Sequence, residues 1–403
     1  MTVGQSKLDA LRREVRAWLR ENLPKGWGTP EYIPPPPFSR EQHELGKAWT
    51  KKLYDAGYTG FGYPKEYGGI ERPPEEIAVI REEMARTGTP GGPLSLGLLV
   101  AAPTILVHGQ EWQKKRFIPK ILSGEESWCE GFSEPDAGSD LANVQTTAVR
   151  DGDEWVVNGQ KIWTSMWEFA DWGLLVAKTE PDAPRHRNLS YFLFSTQYPG
   201  FSRSPLRQMS GEAEFGQLFF DNMRIPHENM MGEQGRGWYV AMTALMAERS
   251  GGGGLEGTGL AGLGTSDLLG VEGLISLAQN TRRYGRTVWE DSAFRQRIMQ
   301  IAIELEAMRW SGIRLRARLR RGGVMGNEAS VFKNFQAEMR QRRGDLTMEI
   351  IGAYSQMMRG SRRAVEGGEL VYNMLRSRGA TIEMGTSEIN RNIIAERILG
   401  LPR

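Results

Sequence analysis

Residues 129 to 140 read CEGFSEPDAGSD, a short run that is dense in small and hydroxyl side chains. Gly131 and Gly138 let the main chain come close to a ligand, and the hydroxyls of Ser133 and Ser139 can donate hydrogen bonds. Such a run can direct several donors at a flat anionic ring. The same composition is typical of a simple turn, so its interpretation depends on segments elsewhere in the chain.

Two other segments place polar groups where chemistry could use them. GQKIWTS, residues 159 to 165, ends a predicted strand, and GTSEINRNIIAERILGLPR, residues 385 to 403, opens a predicted helix with Thr386 and Ser387. The free amides and the positive dipole end of a helix N-terminus suit a phosphate. Taken singly, a Trp on a strand usually belongs to a core, and a Ser or Thr before a helix is usually only its cap.

The elements that must position these segments follow from the hydrophobic period. Residues 1 to 127 show mostly helical spacing, residues 128 to 235 contain short β-rich runs separated by turns, and residues 236 to 403 return to helical spacing. The sequence therefore predicts an α+β protein with three domains bounded at about residues 127 and 235.

Composition limits the function classes. The chain has 403 residues, of which 39% are hydrophobic and 25% charged, with a net charge of +2, as expected of a soluble globular protein whose main partner is neither nucleic acid nor an anionic membrane. Cys129 is the single cysteine, and the four histidines lack metal-ligand spacing, so neither a disulfide nor a metal site is predicted.

The N-terminus and the longest apolar stretch predict a cytoplasmic protein without a membrane span. The first residues carry charges of both signs at helical spacing, which is unlike an export signal. The apolar stretch from Leu94 to Val107 is interrupted by Pro103 and is shorter than the roughly 20 residues that a membrane-spanning helix needs. We expect it to form a buried helix.

Together, the three polar segments resemble the signatures of the acyl-CoA dehydrogenase family, and the order helix, strand, helix is similar to that family's fold over essentially the whole chain. The resemblance implies a helical N-terminal domain, a β-barrel middle domain and a C-terminal four-helix bundle. It also implies an FAD-dependent enzyme that introduces a double bond between Cα and Cβ of a coenzyme A thioester and passes electrons to electron-transfer flavoprotein.

The resemblance assigns cofactor and substrate contacts to particular residues. Phe132 and Ser133 would hold the pyrimidine edge of the flavin, Trp163 would lie against one face of the ring, and Ser165 would place a hydroxyl near N5. Ser139 would lie near the thioester and pantetheine arm.

Further cofactor contacts are expected from the last third of the chain. Thr386, Ser387 and Glu388 would contact the cofactor at the helix start, and Gln296 would lie on the adenine side. The backbone N–H of Met384 would meet the thioester oxygen.

The catalytic base departs from the best-known pattern of the family. Met384 occupies the position of the usual glutamate and cannot act as a base, and the adjacent Glu383 is displaced by one residue, which turns its side chain elsewhere. A subset of the family carries the base in a Leu-x-x-Glu-Arg pattern, which here falls on Glu248 with Arg249 beside the substrate. Without the resemblance, such a Glu-Arg pair is usually a solvated helix face.

The resemblance then implies a mechanism. Glu248 would remove the α-proton while the β-hydrogen leaves as hydride to flavin N5, and burial would raise the pKa of Glu248 towards neutral pH.

Other departures concern assembly and substrate. The usual glycine-rich run that receives the flavin pyrophosphate is reduced to EIIGAYS, residues 349 to 355. Similar erosion occurs in family members that form α2β2 assemblies, so a homotetramer and an α2β2 heterotetramer are both expected possibilities. An acyl-CoA oxidase and a catalytically silent subunit are the alternatives. The glycines between residues 251 and 264 would either widen the acyl pocket or form a mobile surface loop.

Overall fold

The computed structural model describes residues 4–29, 31–90, 96–250, 270–321 and 326–402. It divides into two compact units, one formed by Met1–Gln208 with Ala213–Glu256 and the other by Met209–Glu212 with Gly257–Arg403. The sheet of the first unit begins at Trp128, and the helix that follows the sheet begins at Gly237. Division into three domains at residues 127 and 235 stays a prediction.

The described residues of the first unit form six α-helices in two groups, five before the sheet and one after it. They are α1 (Gln5–Asn22), α2 (Arg40–Asp55), α3 (Pro74–Thr87), α4 (Ala102–His108), α5 (Glu111–Leu122) and α6 (Gly237–Ser250). The apolar stripe of α1, which includes Val15 and Leu19, is buried in one cluster with Ile80 of α3. The helices predicted in these regions from three-to-four spacing are confirmed.

The apolar stretch that runs into α4 is helical in its described part, and it is buried at its centre, whereas Val107 is 62% exposed. One turn of π-helix, Gly97–Ala101, runs directly into α4, and Val100, Ala101 and Ile105 are inaccessible to solvent. Pro103 lies in the first turn of α4, directly after the π-helical turn. Within the described ranges, no helix is both long and apolar enough to span a bilayer.

Among the residues that the structure describes, seven strands form the sheet of the first unit. They are β1 (Trp128–Gly131), β2 (Thr147–Asp151), β3 (Glu154–Ser165), β4 (Trp172–Lys178), β5 (Leu189–Ser195), β6 (Phe201–Leu206) and β7 (Phe215–Pro226). Their order is β1-β4-β2-β3-β7-β6, and β5 lies outside this order and pairs with β4. β1 and β4 run parallel, whereas β4 and β5 are antiparallel.

The two faces of this sheet bury different cores because successive side chains point to opposite sides. Leu175 and Phe192 belong to a cluster inside the curled sheet with Trp155. Leu174, Val176, Tyr191 and Leu193 face the other way and share a cluster with Val240, Ala241 and Ala244 of α6. Helix α6 therefore lies on the outer face of β4 and β5.

The second unit is mostly helical. It contains α7 (Val271–Asn280), the short strands β8 (Arg282–Arg283) and β9 (Arg286–Thr287), α8 (Ser292–Arg320), α9 (Glu328–Ile351), α10 (Glu369–Ser377) and α11 (Ser387–Arg397). Its core includes Leu274, Ile298, Ile301 and Ile350. The glycine-rich stretch from residue 251 to 264, and with it the hypothesis of a widened acyl pocket, lies outside the described residues.

Candidate active site

A buried ion pair joins the CEGFSEPDAGSD segment to β3. Lys161 Nζ lies 2.8 Å from Glu134 Oε1 and donates a hydrogen bond of 3.0 Å to the carbonyl oxygen of Phe132. The backbone N–H groups of Gln145 and Thr146 donate to the two Glu134 oxygens at 2.5 and 2.9 Å. The carboxylate and the ammonium therefore fix the path of the main chain at the predicted flavin contacts.

Each member of this pair is perturbed by burial and by its partner. Burial lowers the pKa of Lys161 to about 8, although the charge of Glu134 acts in the opposite direction. Burial opposes ionisation of Glu134, but Lys161 and the backbone donors outweigh it and hold the pKa of Glu134 below its ordinary value. The sequence analysis missed this pair, because a lysine on a strand that mixes apolar and polar residues gives no sign that it is buried.

The first two predicted flavin-binding segments meet in the structure. The N–H of Ile162 donates to the carbonyl oxygen of Ser133 at 2.8 Å, so Phe132 and Ser133 run beside the residues that precede Trp163. Phe132 is buried and Ser133 is half-buried. The proximity of these two segments was the expectation on which the flavin site depended.

A bulge in β3 presents Trp163 at the surface. The register between β3 and β7 shifts between Lys161 and Thr164, and Trp163 has a φ of 62°. Positive φ is unfavourable for an aromatic residue, so the bulge holds strained backbone. It leaves the indole 55% exposed while Thr164 is buried and Ser165 is half-buried. An exposed, rigidly held indole beside main-chain donors fits the face of a flat cofactor ring.

The glycines of the first segment serve different purposes. A Cβ on Gly131 would lie 3.3 Å from both the Leu174 oxygen and Lys161 Cγ, so this glycine permits close packing inside the sheet. That corrects the expectation that Gly131 admits a ligand. At Gly138 a Cβ would meet nothing within 4 Å, and the neighbouring Ser139 is exposed.

Glu248 lies near the C-terminal end of α6. Ala241, Ala244 and Glu248 share one face of this helix, because residues three and seven positions apart lie on the same side. Both alanines are fully buried against the sheet, and Glu248 is half-buried. The backbone of Arg249 continues the helix, and its side chain lies outside the described residues, so its predicted contact with substrate stays a prediction.

A second carboxyl lies close to Glu248. Glu130 belongs to β1, two residues before Phe132, and its Oε1 atom is inaccessible to solvent and has no hydrogen-bond partner among the described residues. Burial, reinforced by the negative charge of Glu248, raises the pKa of Glu130 well above its ordinary value. Sequence reasoning missed Glu130. The signal was a glutamate at an inward position of the short apolar strand WCEG.

The third predicted segment begins α11 in the second unit. Thr386 caps the helix by accepting from the N–H of Ile389 at 3.2 Å, which confirms the predicted helix start. Ser387 Oγ is buried without a partner among the described residues. The backbone amide of Glu388 and the Thr386 hydroxyl lower the pKa of the Glu388 carboxyl. Unpaired donors at a helix N-terminus suit an anion, although phosphate binding itself stays a prediction.

The two residues before Gly385 differ in their surroundings. Glu383, the carboxylate next to the usual position of the base, forms an ion pair of 3.0 Å with Arg376 of α10. Met384 has a φ of 55°, in the left-handed region. Lys333 Nζ donates to the Gly385 oxygen at 2.5 Å and fixes this turn.

The remaining predicted contacts lie on the surface of the second unit. Gln296 is exposed on α8. At the start of the eroded glycine run, Glu349 accepts from Arg297 Nη2 at 2.8 Å, and a Cβ on Gly352 would lie 2.8 Å from the Arg283 guanidinium. Arginine side chains therefore occupy the space beside this run.

Comparisons with known proteins cover the whole chain. Models of the N-terminal, middle and C-terminal domains of acyl-CoA dehydrogenase match residues 6–125, 129–223 and 235–399. The chain is 36% identical over 397 residues to acyl-CoA dehydrogenase IpdE1 of Mycobacterium tuberculosis, covering 98% of each protein.

Solved structures give the same result. The chain resembles the Tcur3481-Tcur3483 steroid ACAD with a TM-score of 0.76 and 30% identity, covering 100% of both chains. It resembles the ChsE4-ChsE5 complex from Mycobacterium tuberculosis with a TM-score of 0.74 and 29% identity, again over 100% of both chains. The predicted family, its α+β fold and its FAD dependence are confirmed: the chain belongs to the FAD-dependent acyl-CoA dehydrogenases.

Proposed function

We propose that the chain dehydrogenates an acyl-CoA thioester between Cα and Cβ with Glu248 as the base. The observation that carries this assignment is the position of Glu248 on α6, where its charge acts on Glu130 of β1, two residues before Phe132. A carboxylate from α6 is thus close to the segment that the family uses for flavin. As carboxylate, Glu248 takes the α-proton, breaking the Cα–H bond and forming its own O–H bond.

The flavin is held in this proposal by Phe132 and Ser133 at one edge and by Trp163 and Ser165 on the bulge of β3. When bound, FAD supplies the two-electron oxidation by accepting the hydrogen that leaves Cβ. The buried Lys161–Glu134 pair keeps the donors of the first segment in place. Ser139 and Arg249 contact the substrate, and the N–H of Met384 stabilises the negative charge that develops on the thioester oxygen.

We propose a separate set of cofactor contacts on the second unit. Thr386, Ser387 and Glu388 begin α11 and bind the FAD phosphates through amides and hydroxyls, and Gln296 binds on the adenine side. The buried Ser387 hydroxyl, which has no partner in the described part of the chain, supports this role.

The substrate is an acyl-CoA with a bulky, ring-containing acyl group. This proposal rests on the full-length similarity to the Tcur3481-Tcur3483 steroid ACAD. We also propose that the electrons pass to electron-transfer flavoprotein in the cytoplasm. An acyl-CoA oxidase is the alternative, which rapid reaction of the reduced flavin with oxygen would favour.

A mixed α2β2 assembly is favoured over a homotetramer by one observation. Glu349 lies where the family usually has a glutamine, and its carboxylate is bound by Arg297. The run that it begins, residues 349 to 355, contains a single glycine. A partner chain would then complete one of the flavin sites, and at the extreme this chain would be a silent subunit. Substoichiometric flavin in the chain purified alone, restored by a partner, would support the mixed assembly.

Anaerobic titration of the purified flavoprotein with a panel of acyl-CoAs tests the activity and the substrate together. We expect a ring-containing acyl-CoA to bleach the oxidised flavin band at lower concentration than butyryl-CoA. Preferential bleaching by butyryl-CoA would overturn the bulky-substrate proposal, and no bleaching by any thioester in flavin-replete protein would overturn the dehydrogenase.

A further inference from the structure

The register of β1, β4 and β5 places Glu130 on the face of the sheet that α6 covers. Glu130 pairs with Leu174 of β4, and Leu174 pairs in turn with Leu193 of β5. Paired residues point to the same side, so Glu130 shares this face with both leucines. The same face packs against Ala241 and Ala244, whose helix carries Glu248.

Tyr191 brings a third polar group to this face. It pairs with Val176, two residues along β4 from the partner of Glu130, so its side chain points the same way. The Tyr191 hydroxyl is buried and has no hydrogen-bond partner among the described residues. Burial, with the charge of Glu130, raises the pKa of Tyr191 well above its ordinary value, so the phenol stays neutral.

The described side chains of the elements around Glu130 bring no cation to it. In the described part of the chain, no Lys, Arg or His lies within 4 Å of its carboxylate. Lys161 of β3 is bound to Glu134, His108 of α4 bonds Thr243 at 2.8 Å, and Arg116 of α5 pairs with Glu126. The π-helical turn Gly97–Ala101 carries no ionisable side chain. The charge that acts on Glu130 is the like charge of Glu248.

We propose that Glu130 is a positioning residue which keeps its proton in the working enzyme, so that two facing carboxyls carry a single negative charge and Glu248 bears it. This inference rests on the proposed role of Glu248 as base. A buried carboxyl beside another carboxyl, with one oxygen unpaired and no cation nearby among the described side chains, is far more stable neutral than ionised. The two groups titrate as a pair, and Glu130 is the member that retains the proton.

A neutral Glu130 preserves the conditions for proton abstraction. Negative charge develops on the thioester oxygen as the α-proton moves to Glu248, and a second carboxylate nearby would oppose that charge. Ionisation of Glu130 at high pH should therefore slow flavin reduction. The rate of flavin reduction in the wild type should therefore decrease at high pH as Glu130 ionises. Glu130→Gln cannot ionise, so its rate should not show this decrease.

Infrared spectroscopy of the purified flavoprotein tests the protonation state without turnover. Glutamate labelled with carbon-13 at the side-chain carboxyl distinguishes a protonated Glu from flavin and amide carbonyls. We expect a protonated-carboxyl band at pH 7 that is absent from Glu130→Gln and retained in Glu233→Gln, which changes an exposed glutamate. A wild-type protein without this band, or an unchanged band in Glu130→Gln, would overturn the proposal.

Glu248→Gln provides a second test that does not depend on the folding of Glu130→Gln. Removing the negative charge of Glu248 makes Glu130 easier to ionise, so its band should disappear at lower pH than in the wild type. An unchanged midpoint would contradict the facing arrangement. Flavin bleaching tests the dehydrogenase proposal independently of the infrared experiment. If Glu248 is the base, Glu248→Gln loses bleaching by substrate whether or not the midpoint of the Glu130 band shifts.

The stability of the folded protein supplies a third readout. The folded pKa of Glu130 lies above the value in an unfolded chain, so its contribution is fully present at low pH and is lost as pH rises. Above pH 5, the folding constant of wild type relative to Glu130→Gln should fall about tenfold per pH unit until Glu130 ionises. A pH-independent ratio would contradict a protonated Glu130.

Discussion

Lys161 and Glu134 form an ion pair of 2.8 Å in which both side chains are almost completely buried. The same ammonium donates to the Phe132 carbonyl, and Glu134 accepts from two backbone amides on the opposite side. The strand that carries Trp163 and the segment that carries Ser133 are therefore held together by charge as well as by sheet hydrogen bonds. The proposed flavin site depends on this pair without including it.

Lys161→Met should destabilise the first unit and weaken flavin retention together. The substitution leaves Glu134 buried without its counter-ion, a change that costs about 3–5 kcal/mol in typical buried pairs. Urea unfolding and the flavin-to-protein ratio after gel filtration measure the two effects. Lys178→Met is the control, because the Lys178 ammonium makes an exposed hydrogen bond of 3.1 Å to the Gln145 side chain. Equal losses in both variants would contradict the structural role of the buried pair.

Trp163→Ala should reduce flavin affinity with little change in stability. The indole is 55% exposed, so the folded chain loses few contacts, whereas stacking of a planar ring on an aromatic side chain is worth about 1–3 kcal/mol. We expect roughly a tenfold to hundredfold rise in the flavin dissociation constant, measured by fluorescence titration of the apoprotein. Trp310→Ala removes an indole that is 59% exposed in the second unit and should leave flavin affinity unchanged. Similar affinities for wild type and Trp163→Ala would refute the stacking role.

Thr386→Ala should lower stability by about 1 kcal/mol and weaken flavin binding as well. It removes the cap of α11 and one hydroxyl from the proposed phosphate contact. Ser39→Ala removes the cap of α2, where Ser39 Oγ accepts from the Gln42 N–H at 3.1 Å, and should cost similar stability without affecting flavin. Calorimetry and flavin titration of both variants make the comparison. Flavin affinity that is equal in the two variants would exclude Thr386 from the cofactor site.

Glu83 should make the first unit sensitive to acid. Hydrogen bonds from Arg16 at 2.7 and 2.9 Å lower its pKa to about 2 against the cost of burial, with Arg86 contributing further. A depressed pKa stabilises the fold above the unfolded value of about 4.3, and this stabilisation is lost as pH falls towards 2. Glu83→Gln should therefore be less stable than wild type at pH 7, by on the order of 2 kcal/mol. The gap should close between about pH 4 and 2, and a gap that is constant over this range in urea unfolding would contradict the assignment.

The sequence predicted elements well where a single period or motif determined them. The β-rich run EWVVNGQKIWTS corresponds to β3 from Glu154 to Ser165, and α6 and α8 lie where helical spacing placed them. Thr386 begins α11 as its capping position suggested. Local propensity and the proposed family motif agree at these positions, so tertiary packing had little to override.

The contacts between distant segments could not be predicted in the same way. Glu130 and Glu248 are separated by 118 positions, and only the register of β1, β4 and β5 beneath α6 brings them together. The sequence predicted that Gly131 allows a ligand to approach the main chain. Its close neighbours, Leu174 and Lys161, come from other strands, so the sequence alone could not show that it is packed against them. A sequence shows which residues are ionisable and which are small. The neighbours that give each of these residues its role are determined by the fold.

The most direct test of Glu248 as the base compares Glu248→Gln with Glu383→Gln in anaerobic flavin reduction. Both variants remove one carboxylate, but Glu383 is bound to Arg376 in the second unit, whereas Glu248 lies near β1 in the unit with Trp163. With a ring-containing acyl-CoA that reduces the wild type, we predict that Glu248→Gln retains FAD and loses bleaching by at least about a thousandfold, and that Glu383→Gln stays within about tenfold of wild type. Bleaching that survives in Glu248→Gln and disappears in Glu383→Gln would contradict the account.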